Sequence, residues 1–278
     1  MDRFLHQIIP LWTEKKPFAR EEDTLLHEHL LDEPKDGNMR FTDVTVPTML
    51  CFPASGAGPH PAVVVCPGGA YKTLAWSHEG LDYCSFLNLN GFTAFLLKYR
   101  CPDRRDAARA DAARAMRLIR ARAAEFDIDP DKVGMIGSSA GAHLCAITSA
   151  PADPVPYEPL DEIDEQPYRP NFTALIYPGY LFADRETLTP AKEFRFGPEV
   201  PPTLIVQTED DPVQVENSIT WFMALRRAGI PCDMHIWSAG GHGYGLARTG
   251  SPVSEWHIPA AAWFRRQAAL TNTRQEEE

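Results

Sequence analysis

The chain has 278 residues, 44% of them hydrophobic and 23% charged, with 38 acids against 27 Lys and Arg and a net charge of −11. This is globular composition, which excludes a disordered or collagen-like polypeptide. The acidity argues against nucleic acid and against an anionic membrane surface as partners, since phosphate binding needs a basic face. Mean hydropathy is −0.29, and no apolar run approaches the ~18 residues of a membrane span. Met1 to Pro10 lacks a basic region followed by a long apolar stretch, so a cytoplasmic location is expected. A core of this size buries roughly 75% of the unfolded surface and needs no disulfide or metal staple.

Residues 1–38 are polar and punctuated by Pro10, Pro17 and Pro34, and are expected to form an arm over the surface of a single domain, residues 39–272. Residues 273–278 are expected to be an acidic tail. Arg40 to Val46 alternates polar and apolar residues and then meets Pro47, which suits an exposed antiparallel strand with Thr48 to Phe52 as its partner. Short continuous apolar runs follow at 62–66, 93–97, 133–136, 174–177, 203–206 and 234–237. Such runs mark strands buried on both faces. Helical stretches lie between or after them at about 79–90, 104–126, 140–149, 215–228 and 255–269. Strands alternating with helices predict an α/β fold, a mostly parallel sheet with helices on both faces.

The stretch 104–126 supports this reading. Ala108, Ala112, Ala115, Ile119, Ala123 and Phe126 form one apolar stripe, leaving Arg117, Arg120 and Arg122 with Asp111 and Glu125 on a solvated face. Proline-rich 151–170 and irregular 179–202 are expected to be lid-like loops. The six cysteines, Cys51, Cys66, Cys84, Cys101, Cys145 and Cys232, include no C-x-x-C pair and read as small buried hydrophobes in a reducing compartment. His143-x-Cys145 and His27-x-His29 are i,i+2 pairs that do not share a helix face, so neither a metal nor a cofactor is expected.

The chemistry concentrates in four loops. Gly137-Ser138-Ser139-Ala140-Gly141 fits G-x-S-x-G between a buried strand and a helix. A nucleophilic serine must project from a tight strand-to-helix turn, and glycines two residues either side let strand and helix approach closely. Ser139 is the candidate nucleophile. Partners in such sites follow in the order acid, then histidine. Past the 203–206 run stand two adjacent acids, Asp210 and Asp211, either of which could orient a histidine. After the 234–237 run, Gly240-Gly241-His242-Gly243 offers His242 as general base in a loop that can curl toward the serine. Finally, Pro67-Gly68-Gly69-Ala70-Tyr71 follows the 62–66 run, where Gly69 and Ala70 can aim backbone N–H groups at a developing oxyanion alongside the amide of Ala140.

These residues, with Ser77-His78-Glu79-Gly80, Phe95–Arg100 and Glu216–Ser218, resemble α/β-hydrolases of the esterase group that includes acetylxylan-esterase-like enzymes, over about residues 40–270. The resemblance implies an eight-stranded sheet with its first hairpin at one edge. It also implies hydrolysis of short acyl esters, chiefly acetyl, often on sugars such as acetylated xylan. In similar enzymes the acid stands three residues before an anchoring valine, here Val213, which favours Asp210 over Asp211. Many relatives carry a third glycine where this chain has Ala70, a change that a backbone donor tolerates. Tyr71, Trp76, Tyr180 and Tyr244 lie near these loops and are candidate substrate-binding rings, each equally able to fill core. The expected partner is a small-molecule or oligosaccharide ester. The competing readings are a carboxylesterase on non-sugar esters and a hydrolase fold used only for binding, which usually lacks a triad member. A peptidase of this fold would carry a large extra domain, and a dienelactone hydrolase would place cysteine at position 139. Glycosidic cleavage needs two carboxylates flanking one bond.

Overall fold

The buried Val, Ile and Leu runs assemble the centre of the molecule. The computed structural model describes residues 7–13, 15–31, 37–246 and 250–270. Its main sheet has eight strands: β1 Gln7–Pro10, β2 Thr48–Phe52, β3 His60–Cys66, β4 Thr93–Lys98, β5 Ile128–Ser138, β6 Thr173–Ile176, β7 Thr203–Thr208 and β8 Cys232–Trp237. They lie in the order β1-β2-β4-β3-β5-β6-β7-β8. Only β2 runs against its neighbours.

Side chains alternate across the sheet with the period of two that a strand imposes. Ala62, Val64 and Cys66 face one core, Val63 and Val65 the other. The first core is closed by α2 Arg105–Ala121, α3 Ala140–Ser149 and α4 Glu216–Arg227, the second by α1 Asp82–Leu89 and α5 His257–Leu270. All six expected buried runs are strands of this sheet. Five of the six cysteines are buried and all are unpaired. Among the described residues no helix is long and apolar enough to cross a membrane.

Three expectations need correction. The polar N-terminal stretch is not only a surface arm. Gln7–Pro10 is the edge strand of the main sheet, with Ile8 opposite Leu50. Ile9, Leu11 and Trp12 are buried, and the Trp12 indole donates to Asp111 Oδ1 at 2.8 Å. A four-residue edge strand buries one side chain within itself, too little to give a periodic signal. Arg40–Thr42 does not pair with β2. It joins His29–Leu30 and Leu74–Ala75 in a small separate sheet, and the positive φ of Asp43, 53°, breaks the chain before β2. The proposed tail 273–278 lies outside the described residues.

The third correction concerns the arginines of α2. Arg120 is buried and donates to the carbonyls of Pro130, Pro167 and Arg169 and to Asn171 Oδ1. Arg114 grips both oxygens of Asp161 at 2.6 Å, which holds that carboxyl below the usual range. These residues clamp the proline-rich stretch 151–170 against α2. The guanidinium fork satisfies several acceptors at once, which is how a cation can stand at a packed surface.

Candidate active site

The sharp turn after β5 is built by sterics. Ser139 sits at φ 51° and ψ −117°, a strained conformation for a residue with a Cβ. A Cβ on Gly137 would stand 2.3 Å from the Gly141 carbonyl oxygen, and one on Gly141 would stand 1.9 Å from that of Cys66. Strand and helix therefore meet at backbone contact, and Ser139 projects from the corner. Ser138 is fully buried, its hydroxyl 2.8 Å from that of Tyr83.

Ser139 Oγ lies 2.9 Å from His242 Nε2, and His242 Nδ1 lies 2.8 Å from Asp211 Oδ2. This corrects the expectation for Asp210. Asp211 is buried, while Asp210 is exposed and turned to the histidine loop. There Asp210 accepts the N–H groups of Gly241 at 2.8 Å and Gly240 at 3.2 Å. Those amides, Gly241 first, hold the Asp210 carboxyl below its ordinary range. Val213 does anchor the acid, but through its amide, which donates to Asp211 Oδ1 at 2.7 Å. The valine therefore fixes the acid two residues back rather than three. Gly241 and Gly243, at φ 65° and 74°, let the loop curl so that the ring meets Ser139.

The turn after β3 supplies donors by peptide geometry. Gly68 O accepts from Ala75 N–H, and Gly69 O accepts from both Lys72 and Thr73 N–H. In a trans peptide the N–H opposes the C=O. The amides of Gly69 and Ala70 consequently point away from the 72–75 turn. Ala140 is the first residue of α3, so its amide has no intrahelical acceptor.

Ser139, His242, Gly69 and Ala70 line a cavity of about 830 Å³, with Arg40, Lys72, His78 and Asn217 on its polar walls and Tyr180, Phe182 and Val213 on its apolar ones. Of the four candidate rings only Tyr180 lines it. Tyr71 is buried, its hydroxyl 2.6 Å from His143 Nδ1. Trp76 packs edge-on against Phe41, and Tyr244 is buried edge-on against Tyr177 at 4.4 Å. These three rings pack against other side chains and do not line the cavity. Phe182, like Tyr180, comes from the 179–202 stretch, whereas no residue of 151–170 reaches the cavity. His143 is a buried linker whose Nε2 meets Glu193 at 2.9 Å, and its burial pushes the imidazole pKa down.

Sequence reasoning included Glu79 in the segment that carries the resemblance but gave it no role; it is a buried carboxylate at the cavity wall. The available signal was an acid followed by glycine at the start of a helix whose next turns are apolar.

Comparison with known proteins agrees with this architecture. A family model described as BD-FAE matches residues 50–162, and one described as the prolyl oligopeptidase family matches residues 159–271. An acetylxylan esterase of Xylanibacter ruminicola is 31% identical over 238 residues, covering 76% of this chain and 46% of its own length. The chain thus spans about half of that curated relative. The crystal structure of an acetyl ester-xyloside bifunctional hydrolase from Caldicellulosiruptor lactoaceticus superposes with a TM-score of 0.76 at 29% identity, covering 94% of this chain and 96% of the other. MGS-M1, an α/β-hydrolase from a deep-sea metagenome, shares the fold with a TM-score of 0.66 at 20% identity, over 88% and 98% of the two chains.

Proposed function

We propose that this chain, a member of the α/β-hydrolase superfamily, is a serine esterase that removes short acyl groups, chiefly acetyl, from small or oligosaccharide alcohols such as acetylated xylan. The observation that carries the reading is the continuous chain Ser139 Oγ–His242–Asp211, at 2.9 and 2.8 Å, opening onto the cavity. The esterase relatives above support the substrate class.

In this mechanism Ser139 Oγ attacks the ester carbonyl while His242 Nε2 takes its proton. The carbonyl oxygen becomes negative and is held by the amides of Gly69, Ala70 and Ala140. Asp211 fixes the ring through Nδ1 and stabilises the imidazolium. His242 then returns the proton to the departing alcohol, leaving an acyl-Ser139. Water, deprotonated by His242, attacks that ester and releases the acid. The polar wall of Arg40 and Lys72 suits a hydroxyl-rich alcohol, while Tyr180 offers a ring face to a sugar.

Xyloside cleavage is not part of the proposal. Glu79 is the one carboxylate lining the cavity among the described residues, and both of its oxygens already accept hydrogen bonds. The six unpaired cysteines suit a reducing compartment, so the cytoplasm is the proposed location.

The test is acetate release from acetylated xylooligosaccharides and hydrolysis of p-nitrophenyl acetate, by the wild type and Ser139→Ala. Acetate release from the sugar esters that disappears in the variant supports the reading. Turnover of p-nitrophenyl acetate without acetate release from sugars assigns a general carboxylesterase.

A further inference from the structure

A carboxylate is an unwelcome neighbour for an oxyanion, yet Glu79 stands almost against the nucleophile. A Cβ on Gly68 would meet Glu79 Oε2 at 2.6 Å and Ser139 Cβ at 3.0 Å, so a single glycine separates them. Glu79 is 4% exposed. A buried acid persists only when its oxygens are engaged, and here each has a partner. Oε2 accepts the Gly68 amide at 2.7 Å, and Oε1 accepts the Tyr177 hydroxyl at 2.9 Å.

The partners connect the oxyanion turn with the histidine loop. Gly68 begins the oxyanion turn. Tyr177 follows β6, its hydroxyl accepts the Gly245 amide of the histidine loop at 3.2 Å, and its ring meets the His242 imidazole edge-on at 4.9 Å. Glu79 itself sits in a widened helical turn, where Leu81 N–H reaches back five residues to Trp76 O. Such turns aim a side chain that a regular helix would not.

We propose that Glu79 is a positioning residue for the oxyanion hole. It draws the Gly68 amide out of the cavity. The two carbonyls that follow are tied to the 72–75 turn. Together these bonds leave the Gly69 and Ala70 amides as the donors that face Ser139, and the Tyr177 link holds the histidine loop in register with them. Hydrogen-bond geometry, rather than negative charge, is what Glu79 contributes. In Glu79→Gln the amide oxygen accepts from Gly68 and the NH₂ donates to Tyr177 Oη. Glu79→Asp keeps the charge but is one methylene too short to span both partners.

The inference rests on the esterase reading, so its test includes a reaction that modifies Ser139 once and needs no ester substrate. We would measure kcat and KM for p-nitrophenyl acetate, the rate of Ser139 phosphonylation by a p-nitrophenyl alkylphosphonate, and the melting temperature of each variant. Glu79→Ala should lower kcat by ~10–100-fold, less than or comparable to the loss of one donor. KM should change little, and phosphonylation should slow by a similar factor. Glu79→Gln should stay within ~5-fold of wild type and outperform Glu79→Asp in both reactions. A wild-type kcat in Glu79→Ala, a loss confined to KM, or an Asp variant equal to or faster than the Gln variant would overturn the proposal. If Glu79→Ala does not fold, the ranking of Gln over Asp decides alone. A wild type that is phosphonylated but hydrolyses no ester removes the esterase reading while leaving the phosphonylation ranking as the test of Glu79.

Discussion

Replacing Asp211 by Asn tests the site most sharply, because the structure dictates which way the new amide must face. Val213 N–H donates to Asp211 Oδ1 at 2.7 Å. In Asp211→Asn the amide oxygen must stay on that side, and its NH₂ then faces His242 Nδ1, which the carboxylate now holds at 2.8 Å. A donor there selects the imidazole tautomer with its proton on Nε2. That proton points at Ser139, and the ring can no longer act as base. The imidazolium formed during attack also loses its buried counter-charge. Loss of the correct tautomer in a serine triad costs ~10⁴-fold in kcat, or about 5.5 kcal/mol of transition-state stabilisation. Asp210→Asn removes only part of an exposed loop clasp. The Asn oxygen can keep the Gly241 bond while the Gly240 bond, already 3.2 Å, is lost. Its kcat should fall by no more than ~10-fold. Initial rates on p-nitrophenyl acetate, with circular dichroism and melting curves, give the comparison. An Asp210→Asn enzyme slower than Asp211→Asn, or an Asp211→Asn enzyme within ~100-fold of wild type, would refute the assignment.

Further outcomes follow from other residues. Ser139→Ala should lower kcat by at least ~10⁴-fold with an unchanged melting curve, since the serine makes no core contact that the alanine loses. Across p-nitrophenyl acetate, butyrate, octanoate and palmitate, kcat/KM should be highest for acetate and fall beyond butyrate. A long chain would need apolar cover, at ~0.8 kcal/mol per buried CH₂, and the cavity offers only Tyr180, Phe182 and Val213 as sizeable apolar walls; a preference for octanoate or palmitate contradicts this. Asp23→Asn should lower the unfolding free energy by about 1–2 kcal/mol at pH 7. Burial disfavours the charged carboxyl, but Arg104, the Arg20 amide and Lys16 outweigh it and bring the group to about 2, below the ~3.9 of an unfolded aspartate. A depressed carboxyl stabilises above its unfolded value, so the gap between wild type and variant in urea melts should close as the pH falls from about 4 toward 2.

The legible parts of the fold were those whose signal is local. Val63–Cys66 and Leu204–Val206 read as strands because a strand buried on both faces needs an unbroken apolar run, and all of these side chains are buried. The elbow was legible for a similar reason. Backbone contact between Gly141 and Cys66 admits no Cβ, and that demand is written at fixed spacing around Ser139. The edge strand Gln7–Pro10 was not legible, because its pairing with Thr48–Phe52 joins segments nearly forty residues apart and leaves most of its side chains outside. The arginines of α2 misled for the opposite reason. Their local pattern suits a solvated face, and it takes the Pro130 carbonyl together with the return of 151–171 to supply the acceptors that let Arg120 be buried.

The choice between Asp210 and Asp211 shows where such reading stops. Asp210 and Asp211 lie in the turn past the end of β7, where the chain delivers one carboxylate outward and the next inward. Spacing from Val213 can be counted in sequence, but which atom of Val213 does the anchoring cannot. Its amide reaches Asp211, and the glycine amides of the histidine loop reach Asp210. Both acids therefore serve the same histidine from opposite sides, one holding its ring and the other its loop. Glu79 belongs with them. Its partners at positions 68 and 177 come from two different strand ends, so the acid-glycine pair at the start of its helix could mark the residue but not what it binds. In each case the residue type was visible in the sequence, and at least one partner came from a distant loop: the His242 ring for Asp211, the Gly240 and Gly241 amides for Asp210, and the Gly68 amide and Tyr177 hydroxyl for Glu79. Replacing both acids in Asp210→Asn/Asp211→Asn should cost no more than Asp211→Asn alone, because a clasped loop has little to offer once the ring it presents is in the wrong tautomer. A double variant ~10-fold slower than Asp211→Asn would show that Asp210 acts on the chemistry independently of that ring.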